Sequence, residues 1–130
     1  MLILDVMDMH GTDREVDCPK GGFKSIRMLL KKDRMGFTLT RTMVYPTPTY
    51  QEWHYKHHLE ACYCIKGKGN LKDAAGNVFG IKPGVMYALD KHDKHYFKAE
   101  ETCVLLCVFN PPLEGPEVHQ EDGSYVLRAE

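Results

Sequence analysis

Side chains that commonly bind metals are concentrated between residues 54 and 67, in the segment HYKHHLEACYCIKG. Three histidines and one glutamate lie within its first seven positions, directly before an apolar run that contains two cysteines. Imidazole and carboxylate groups are common ligands of divalent metals such as zinc and iron. The segment therefore indicates a metal site at the point where a strand begins.

Side-chain alternation along this strand places Glu60 among small, sulfur-containing side chains. Because residues two apart share a strand face, Glu60 points to the same side as Cys62 and Cys64. A carboxylate buried there is costly unless a partner such as a cation compensates it. In the segment GFTLTRTMV the same alternation aligns three hydroxyl groups that would suit a polar cavity, those of Thr38, Thr40 and Thr42.

Short segments of strand-like composition recur along the chain, and turn signals separate them. Turns are predicted at KKDRMG, YPTPTY, DAAGN, KPG and DKHDK, and no long segment has helical periodicity. Strands are predicted at Ser25–Lys31, Gly36–Tyr45, Leu59–Lys66, Gly69–Lys72, Asn77–Ile81, Val85–Leu89, His95–Ala99 and Thr102–Phe109. Many short strands without long helices predict an all-β sandwich or barrel.

The length and charge of the chain limit its organisation and its partners. A chain of 130 residues fits one domain, here 1–130, with a Pro- and Gly-broken tail from about residue 110 that is either flexible or closes over one end of the barrel. A formal net charge of -1, with both signs interspersed, favours a small-molecule partner over nucleic acid. No apolar run approaches the roughly 20 residues of a membrane span, and acidic residues interrupt the N-terminal apolar run. We therefore expect a cytoplasmic protein.

The five cysteines are odd in number and mostly lie in apolar segments, which is typical of reduced, buried thiols. One alternative is a zinc site formed by four of them, Cys62, Cys64, Cys103 and Cys107. Strand spacing disfavours that alternative, because structural zinc ligands usually come from turns with gaps of two to four residues. Buried thiols explain most of the five, and Cys107 is a candidate for a cavity wall.

Two motifs carry a resemblance to a known family. The run from His54 through Glu60 to Gly67, followed by KPGVMY, resembles the two signature motifs of the cupin superfamily, although Lys56 and Tyr87 stand where that superfamily has histidines. The segments YKHHLEACYCIKGKG, IKPGVMYALDKHDKHYFKA and CVFNPPLEGPEVH resemble the ectoine synthase family, a branch of the cupins. GTDREV and RMLLKKDRMGFT extend the similarity from about Gly11 to about Tyr125.

The resemblance implies a cupin jelly-roll barrel and a lyase reaction. Ectoine synthases cyclise N-γ-acetyl-2,4-diaminobutyrate: the α-amine attacks the acetamide carbonyl carbon, water leaves, and the compatible solute ectoine, which protects cells under osmotic stress, is formed. Because an amide is a poor electrophile, the reaction needs a Lewis acid on the carbonyl oxygen, a base for the amine and a folded substrate.

The resemblance also implies a divalent metal, expected to be Fe(II), held by Glu60, Tyr87 and His95. A carboxylate, a phenolate and an imidazole form a mixed oxygen and nitrogen set that suits iron. Each residue has a structural alternative. Tyr87 alone would be an ordinary buried tyrosine and His95 a core histidine, while Glu60 would be a rim residue paired with Lys56 or Arg27.

Substrate contacts follow from the same resemblance, at Phe23, Arg27, Thr40, Thr42, Cys107, Phe109 and Glu117. Arg27 is the expected clamp for the substrate carboxylate, with a surface ion pair as its alternative. Glu117, which we group with the three metal ligands as catalytic, would hold or deprotonate the α-amine, unless it is an exposed loop acid. Thr40 and Thr42 would orient the amide, unless they are simply good strand formers.

Two positions differ from the common pattern of the family: Phe23 stands where tryptophan is common, and Thr40 where asparagine or histidine is usual. These differences motivate a second hypothesis, a related cyclisation or ectoine hydrolysis at the same metal. A third is a cupin that binds a metal or ligand without turnover. For all three, the family implies a homodimer in which a terminal strand crosses to the partner, and the apolar N-terminal segment MLILDVM is a candidate interface.

Overall fold

Short antiparallel strands dominate the computed structural model, which describes residues 1–119 and 123–125. The ten strands in these residues are β1 (Glu15–Cys18), β2 (Phe23–Leu29), β3 (Thr38–Val44), β4 (Gln51–Trp53), β5 (Leu59–Lys66), β6 (Gly69–Asp73), β7 (Val78–Ile81), β8 (Met86–Leu89), β9 (His95–Ala99) and β10 (Cys103–Asn110). Three 3-10 helical turns complete the regular structure, at Val6–Met9, Pro19–Gly21 and Lys31–Asp33. The predicted all-β class is confirmed.

The strands form two sheets that share one core. One sheet has six strands in the order β1-β2-β3-β10-β5-β8, and the other has four in the order β4-β9-β6-β7. Every pairing is antiparallel. The Trp53 ring of the smaller sheet stacks on Phe97 at 5.2 Å and meets the edge of Phe23, from the larger sheet, at 5.6 Å between centroids. The fold is the predicted jelly roll.

All eight predicted strands exist, and none of their ends is shifted by more than two residues. Two strands were missed. β1 is an edge strand of four residues with two acids, so it has little apolar signal. β4 has only three residues and follows a Pro-rich loop, so its sequence reads as a turn. β4 is nevertheless important for the interior, since it supplies Trp53.

The predicted alternation is confirmed on both strands that matter for the site. On β5, Glu60, Cys62 and Cys64 are buried while their neighbours Leu59 and Tyr63 are exposed. On β3, the hydroxyl face is buried, and it consists of Thr38, Thr40 and Thr42. Because β5 and β3 both pair with β10, these two polar faces lie on the same side of one sheet.

The turn between β5 and β6 depends on a glycine. Gly67 has a φ of +94°, and a Cβ atom there would lie 2.2 Å from the carbonyl oxygen of Thr102. The chain therefore passes close to the start of β10 at this point, which fixes the end of β5. In residues 1–119 and 123–125, no helix has the length and apolar character that crossing a membrane would require.

Candidate active site

Glu60 lies inside the barrel, near the start of β5. It pairs with Phe109 of β10 on one side and with Leu89 of β8 on the other, and only 7% of its surface is exposed. Burial raises the pKa of its carboxyl group from the usual 4.5 to about 7, although the nearby thiols of Cys62 and Cys107 oppose the shift. The residue is thus not the rim residue of the structural alternative.

Tyr87 reaches the same region from β8, directly opposite Cys62 of β5. Its hydroxyl group is buried and has no hydrogen-bond partner among the described residues. Burial, together with the neighbouring Cys62 and Glu60, raises the pKa of the Tyr87 phenol well above its ordinary value. An ordinary buried tyrosine would find an acceptor for its hydroxyl group, so this environment is unusual.

His95 comes from the other sheet, at the first position of β9. Its Nδ1 donates to the carbonyl oxygen of Asp93 at 2.9 Å, which leaves Nε2 as the nitrogen with a free lone pair. Nε2 is buried and has no partner in the described part of the chain. Burial lowers the pKa of His95 to about 4, so the ring is neutral near pH 7. Its centroid is 6.4 Å from that of Tyr87.

These three side chains fit a metal. Only five buried side-chain nitrogen or oxygen atoms in residues 1–119 and 123–125 lack a hydrogen-bond partner, and three of them are Glu60 Oε1, Tyr87 Oη and His95 Nε2. An unpaired buried polar atom is costly, so one partner shared by the three would stabilise all of them. A divalent cation is such a partner, since all three atoms offer lone pairs once Tyr87 loses its proton.

Arg27 and Glu117 form a second charged group inside the barrel. Arg27 is fully buried, and its Nη1 lies 3.8 Å from Glu117 Oε1 and donates to the carbonyl oxygen of Gly115 at 2.6 Å. The Glu117 carboxylate accepts hydrogen bonds from the backbone N–H groups of Glu114 and Gly115, at 2.7 and 2.8 Å. Arg27 Nε is the fourth unpaired buried atom. Neither residue is therefore a surface group, and Arg27 still has a donor to offer.

The remaining predicted contact residues lie around one interior cavity. Phe23, Thr42, Cys107 and Phe109 line it together with Glu60 and Tyr87. Thr40 does not line the cavity itself, and its hydroxyl is hydrogen-bonded to that of Thr42 at 2.9 Å. Arg27, His95 and Glu117 also lie outside its wall. The structure thus brings Glu60, Tyr87 and part of the substrate set together around one cavity, while the His95 ring lies next to that of Tyr87 and Arg27 lies next to the ring of Tyr125, which also lines the cavity.

The C-terminal segment fills much of this interior. Tyr125 is 2% exposed, lines the cavity, and lies 5.3 Å from the Arg27 guanidinium and 4.9 Å from the Tyr55 ring. The free space left in the cavity is about 10 Å³, which is room for about one water molecule. The barrel is therefore closed in this structure, with an aromatic side chain where a larger ligand would sit.

Sequence reasoning overlooked three residues of this interior: Trp53, His119 and Tyr125. His119 accepts or donates a 2.6 Å hydrogen bond between its Nε2 and the Tyr55 hydroxyl, and its ring lies 4.8 Å from that of Phe23. The available signal was the clustering of Glu117, His119 and Tyr125 in a tail otherwise rich in Pro and Gly. His58, two residues before Glu60, is also buried, and its Nδ1 is the fifth unpaired atom.

Comparison with known proteins agrees with this fold and identifies the family of the chain. A family model described as ectoine synthase matches residues 1–129. The L-ectoine synthase of Desulfatibacillum aliphaticivorans is 52% identical over 126 residues, covering 96% of each chain. The crystal structure of an ectoine synthase from P. lautus is 41% identical, with a TM-score of 0.82 over 88% of this chain and 81% of that one. A putative ethanolamine utilization protein q from Salmonella typhimurium shares only the fold, with 13% identity and a TM-score of 0.63 over 74% of this chain and 78% of that one. The chain belongs to the ectoine synthase family, a group of lyases with the cupin jelly-roll fold.

Proposed function

We propose that the protein performs the ectoine synthase reaction with Glu60, Tyr87 and His95 holding a divalent metal, Fe(II). The observation that carries this assignment is the set of three buried, unpaired donor atoms on these residues. Their chemistry, one carboxylate, one phenol and one neutral imidazole, supports iron over a softer metal at this set. When bound, such a metal supplies a Lewis acid for the carbonyl oxygen of an amide.

The side chains of the barrel provide the other needs of the reaction. Arg27, with its unpaired Nε, would bind the substrate carboxylate, and the adjacent Glu117 would hold the α-amine and accept its proton. Because Glu117 is fixed by two backbone N–H groups, its position is set before substrate arrives. The substrate would thus be anchored at its amino-acid end.

The acetamide end would lie toward Glu60 and Tyr87, along the hydroxyl groups of Thr40 and Thr42. Cys107, Phe109 and Phe23 would form the apolar wall that excludes water from the reacting carbonyl. In this orientation the α-amine and the carbonyl carbon of one molecule are held close together. The new carbon–nitrogen bond would form, the carbon–oxygen bond would break, and the oxygen would leave as water with the two protons of the amine nitrogen, which Glu117 would accept and return. A cyclic amidine results.

An anaerobic assay tests the proposal. Metal-free protein is reconstituted with Fe(II), given N-γ-acetyl-2,4-diaminobutyrate, and ectoine is measured by chromatography, alongside bound iron. Glu60→Gln keeps the size of the side chain but removes its charge, and Glu101→Gln, at an exposed position, is the matched control. We expect the Glu60 variant to lose ectoine formation and iron binding together, while the control keeps both.

Two outcomes would contradict the proposal. If the Glu60 variant binds iron as the wild type does, the ligand assignment is wrong. If the wild-type protein binds iron and forms no ectoine, the ligands stand but the substrate is different, and the reverse reaction, ectoine hydrolysis, is then assayed under the same conditions. Phe23→Trp and Thr40→Asn would test whether the two residues that differ from the family's pattern change the substrate.

We also propose that the protein is a homodimer. β8 ends the six-stranded sheet, and apolar side chains on its outer face and on that of β5 are exposed, including Met86, Tyr63 and Ile65. The N-terminal residues Met1 to Leu4 are apolar and exposed too. Pairing of this segment with the sheet edge of a second copy would cover both surfaces.

Light scattering tests this assembly. We expect a mass of about twice the 14.9 kDa of the chain at micromolar concentration, and a shift toward the monomer in Ile3→Glu. A monomeric wild-type protein would overturn the proposal.

The free state of all five cysteines supports a reducing compartment, and we accordingly propose that the protein acts in the cytoplasm. We also propose that residues 1–130 form one domain.

A further inference from the structure

Two cysteines that the proposed iron site does not use form a cluster with Glu60. Cys62 of β5 lies directly opposite Cys107 of β10, and their sulfur atoms are 3.5 Å apart. Both residues are buried, with 2% of their surface exposed. A carboxylate oxygen of Glu60 and the two sulfurs all lie within 4.8 Å of one another. In the part of the chain that the structure describes, this is the one such group of histidine, cysteine or acidic side chains.

The spacing of the sulfurs is close to that of a metal-bound pair. Two thiolates bound to a tetrahedral zinc ion, each at about 2.3 Å, lie roughly 3.8 Å apart. The observed sulfur separation therefore needs little adjustment to admit a metal between Cys62 and Cys107. The structure holds the pair in place by the β5–β10 pairing, so no loop must rearrange to form the site.

A second observation points to a cation at this place. Glu60 Oε1 is buried without a hydrogen-bond partner among the described residues. A positive partner would stabilise the ionised carboxylate in this environment, and none of the described residues that line the cavity beside it is cationic. A metal bound by both thiolates would supply that partner, and so would a metal bound with Tyr87 and His95.

We propose that Glu60, Cys62 and Cys107 form a second metal site that binds a thiophilic divalent cation such as Zn²⁺ or Cd²⁺. Two thiolates and one carboxylate make this set softer than the Glu60–Tyr87–His95 set, so the two sets prefer different metals. Three protein ligands leave the fourth tetrahedral position to water. Each metal ion that binds displaces the two thiol protons, which are released to the buffer.

The two sites share Glu60 and therefore exclude each other. A zinc ion between the thiolates would withdraw the carboxylate from Tyr87 and His95 and would cover Cys107 on the cavity wall. The consequence, which rests on the proposed function, is that thiophilic metals inhibit ectoine formation and that a chelator followed by Fe(II) restores it. Selection between the metals would then depend on their relative supply.

The binding itself is tested without substrate. Metal-free, reduced protein is titrated anaerobically with Cd²⁺ or Co²⁺, and the ultraviolet sulfur-to-metal charge-transfer absorbance is recorded. We expect saturation at one equivalent for the wild type. For Cys62→Val we expect about half the absorbance per bound metal and an affinity at least about tenfold lower. Cys64→Val, at a buried position on the same face of β5, is the matched control and should resemble the wild type.

Two further variants make the result decisive. Tyr87→Phe removes a ligand of the iron set alone and should keep the full charge-transfer band. Cys107→Ala removes the other thiolate and should reduce the band by about half, as Cys62→Val does, and it tests the site even if the valine variant folds poorly. No band in the wild type, or an undiminished band in both the Cys62 and Cys107 variants, would overturn the proposal. Since ectoine formation is measured separately with Fe(II), failure of this site is distinguishable from failure of the proposed reaction.

Discussion

Tyr87 carries a buried hydroxyl group that has no hydrogen-bond partner among the described residues, so we expect two opposite effects from its removal. In Tyr87→Phe the ring still packs, but the unpaired buried hydroxyl is gone. We expect the metal-free variant to be more stable than the wild type by about 1 kcal/mol in urea denaturation, because an unsatisfied buried polar group costs about that much or more. We expect the same variant to bind iron far more weakly.

Denaturation in the presence of a chelator and metal analysis of the reconstituted protein measure the two effects separately. A variant that is less stable than the wild type without metal would show that the hydroxyl has a partner in solution. Tyr63→Phe, at an exposed position of β5, controls for the change in residue type.

Single residues show how far the sequence could predict the site. The burial of Glu60 and of the threonine face followed from strand alternation, which needs no knowledge of other proteins. The choice of Tyr87 and His95 did not, because a tyrosine and a histidine on apolar faces usually belong to the core. Their unpaired atoms become visible only in three dimensions, where β8 and β9 of different sheets bring them together.

The Arg14–Asp33 pair ties the helical turn after β2 to the region just before β1. Arg14 donates to both carboxylate oxygens of Asp33 at 2.9 and 3.2 Å, and Asp33 also accepts from the backbone of Leu30. We expect Asp33→Asn to lower the free energy of unfolding by about 1–2 kcal/mol at pH 7, since hydrogen bonds to charged groups are stronger than neutral ones.

The pH dependence of this loss has a defined sign. Arg14 holds the pKa of Asp33 below its usual value of 3.8, so the pair contributes stability above that value and loses it as the pH falls through the folded-state pKa. The difference between wild type and Asp33→Asn should therefore shrink below about pH 4. A double-mutant cycle with Arg14→Gln measures the coupling, and a constant difference across pH would exclude the ion pair as its source.

Gly67 allows β5 to end beside the start of β10. In Gly67→Ala the new Cβ would lie 2.2 Å from a backbone oxygen and the residue would keep a φ of +94°, so we expect a loss of at least about 3 kcal/mol in unfolding free energy. Gly76→Ala is the matched control, because Gly76 has a similar φ of +90° and open space around it. Its expected loss is about 1 kcal/mol. Equal losses would show that the contact with Thr102 relaxes freely.

The strands also show which parts of the fold could not be predicted from the sequence. Long alternating strands such as β5 were predicted to the residue, whereas β1 and β4 were missed because pairing with a neighbour, rather than composition, makes them strands. β4 is a strand because it pairs with β9, and that pairing puts Trp53 next to His95. No local pattern in a three-residue segment carries this information.

At the scale of the whole molecule, Tyr125 is a buried residue of the C-terminal segment that lines the interior cavity, and we expect it to limit access to that cavity. Tyr125→Ala should cost about 3 kcal/mol of stability, as the loss of a buried aromatic ring does elsewhere. It should also speed alkylation of Cys107, which lines the same cavity, as measured by mass spectrometry of labelled peptides. Tyr125→Phe keeps the ring and should keep Cys107 protected. Equal labelling of the alanine variant and the wild type would show that the segment opens freely.

The position of Tyr125 would make it a competitor of any substrate that binds in this cavity. With about 10 Å³ free, such a substrate would have to displace the ring, which would then act as a tethered ligand present at a fixed local concentration. The apparent substrate affinity is then the intrinsic affinity multiplied by the fraction of molecules in which the ring has left. Substrate saturation curves of the wild-type protein would therefore report the departure of one aromatic side chain as much as the substrate contacts that we propose for Arg27 and Glu117.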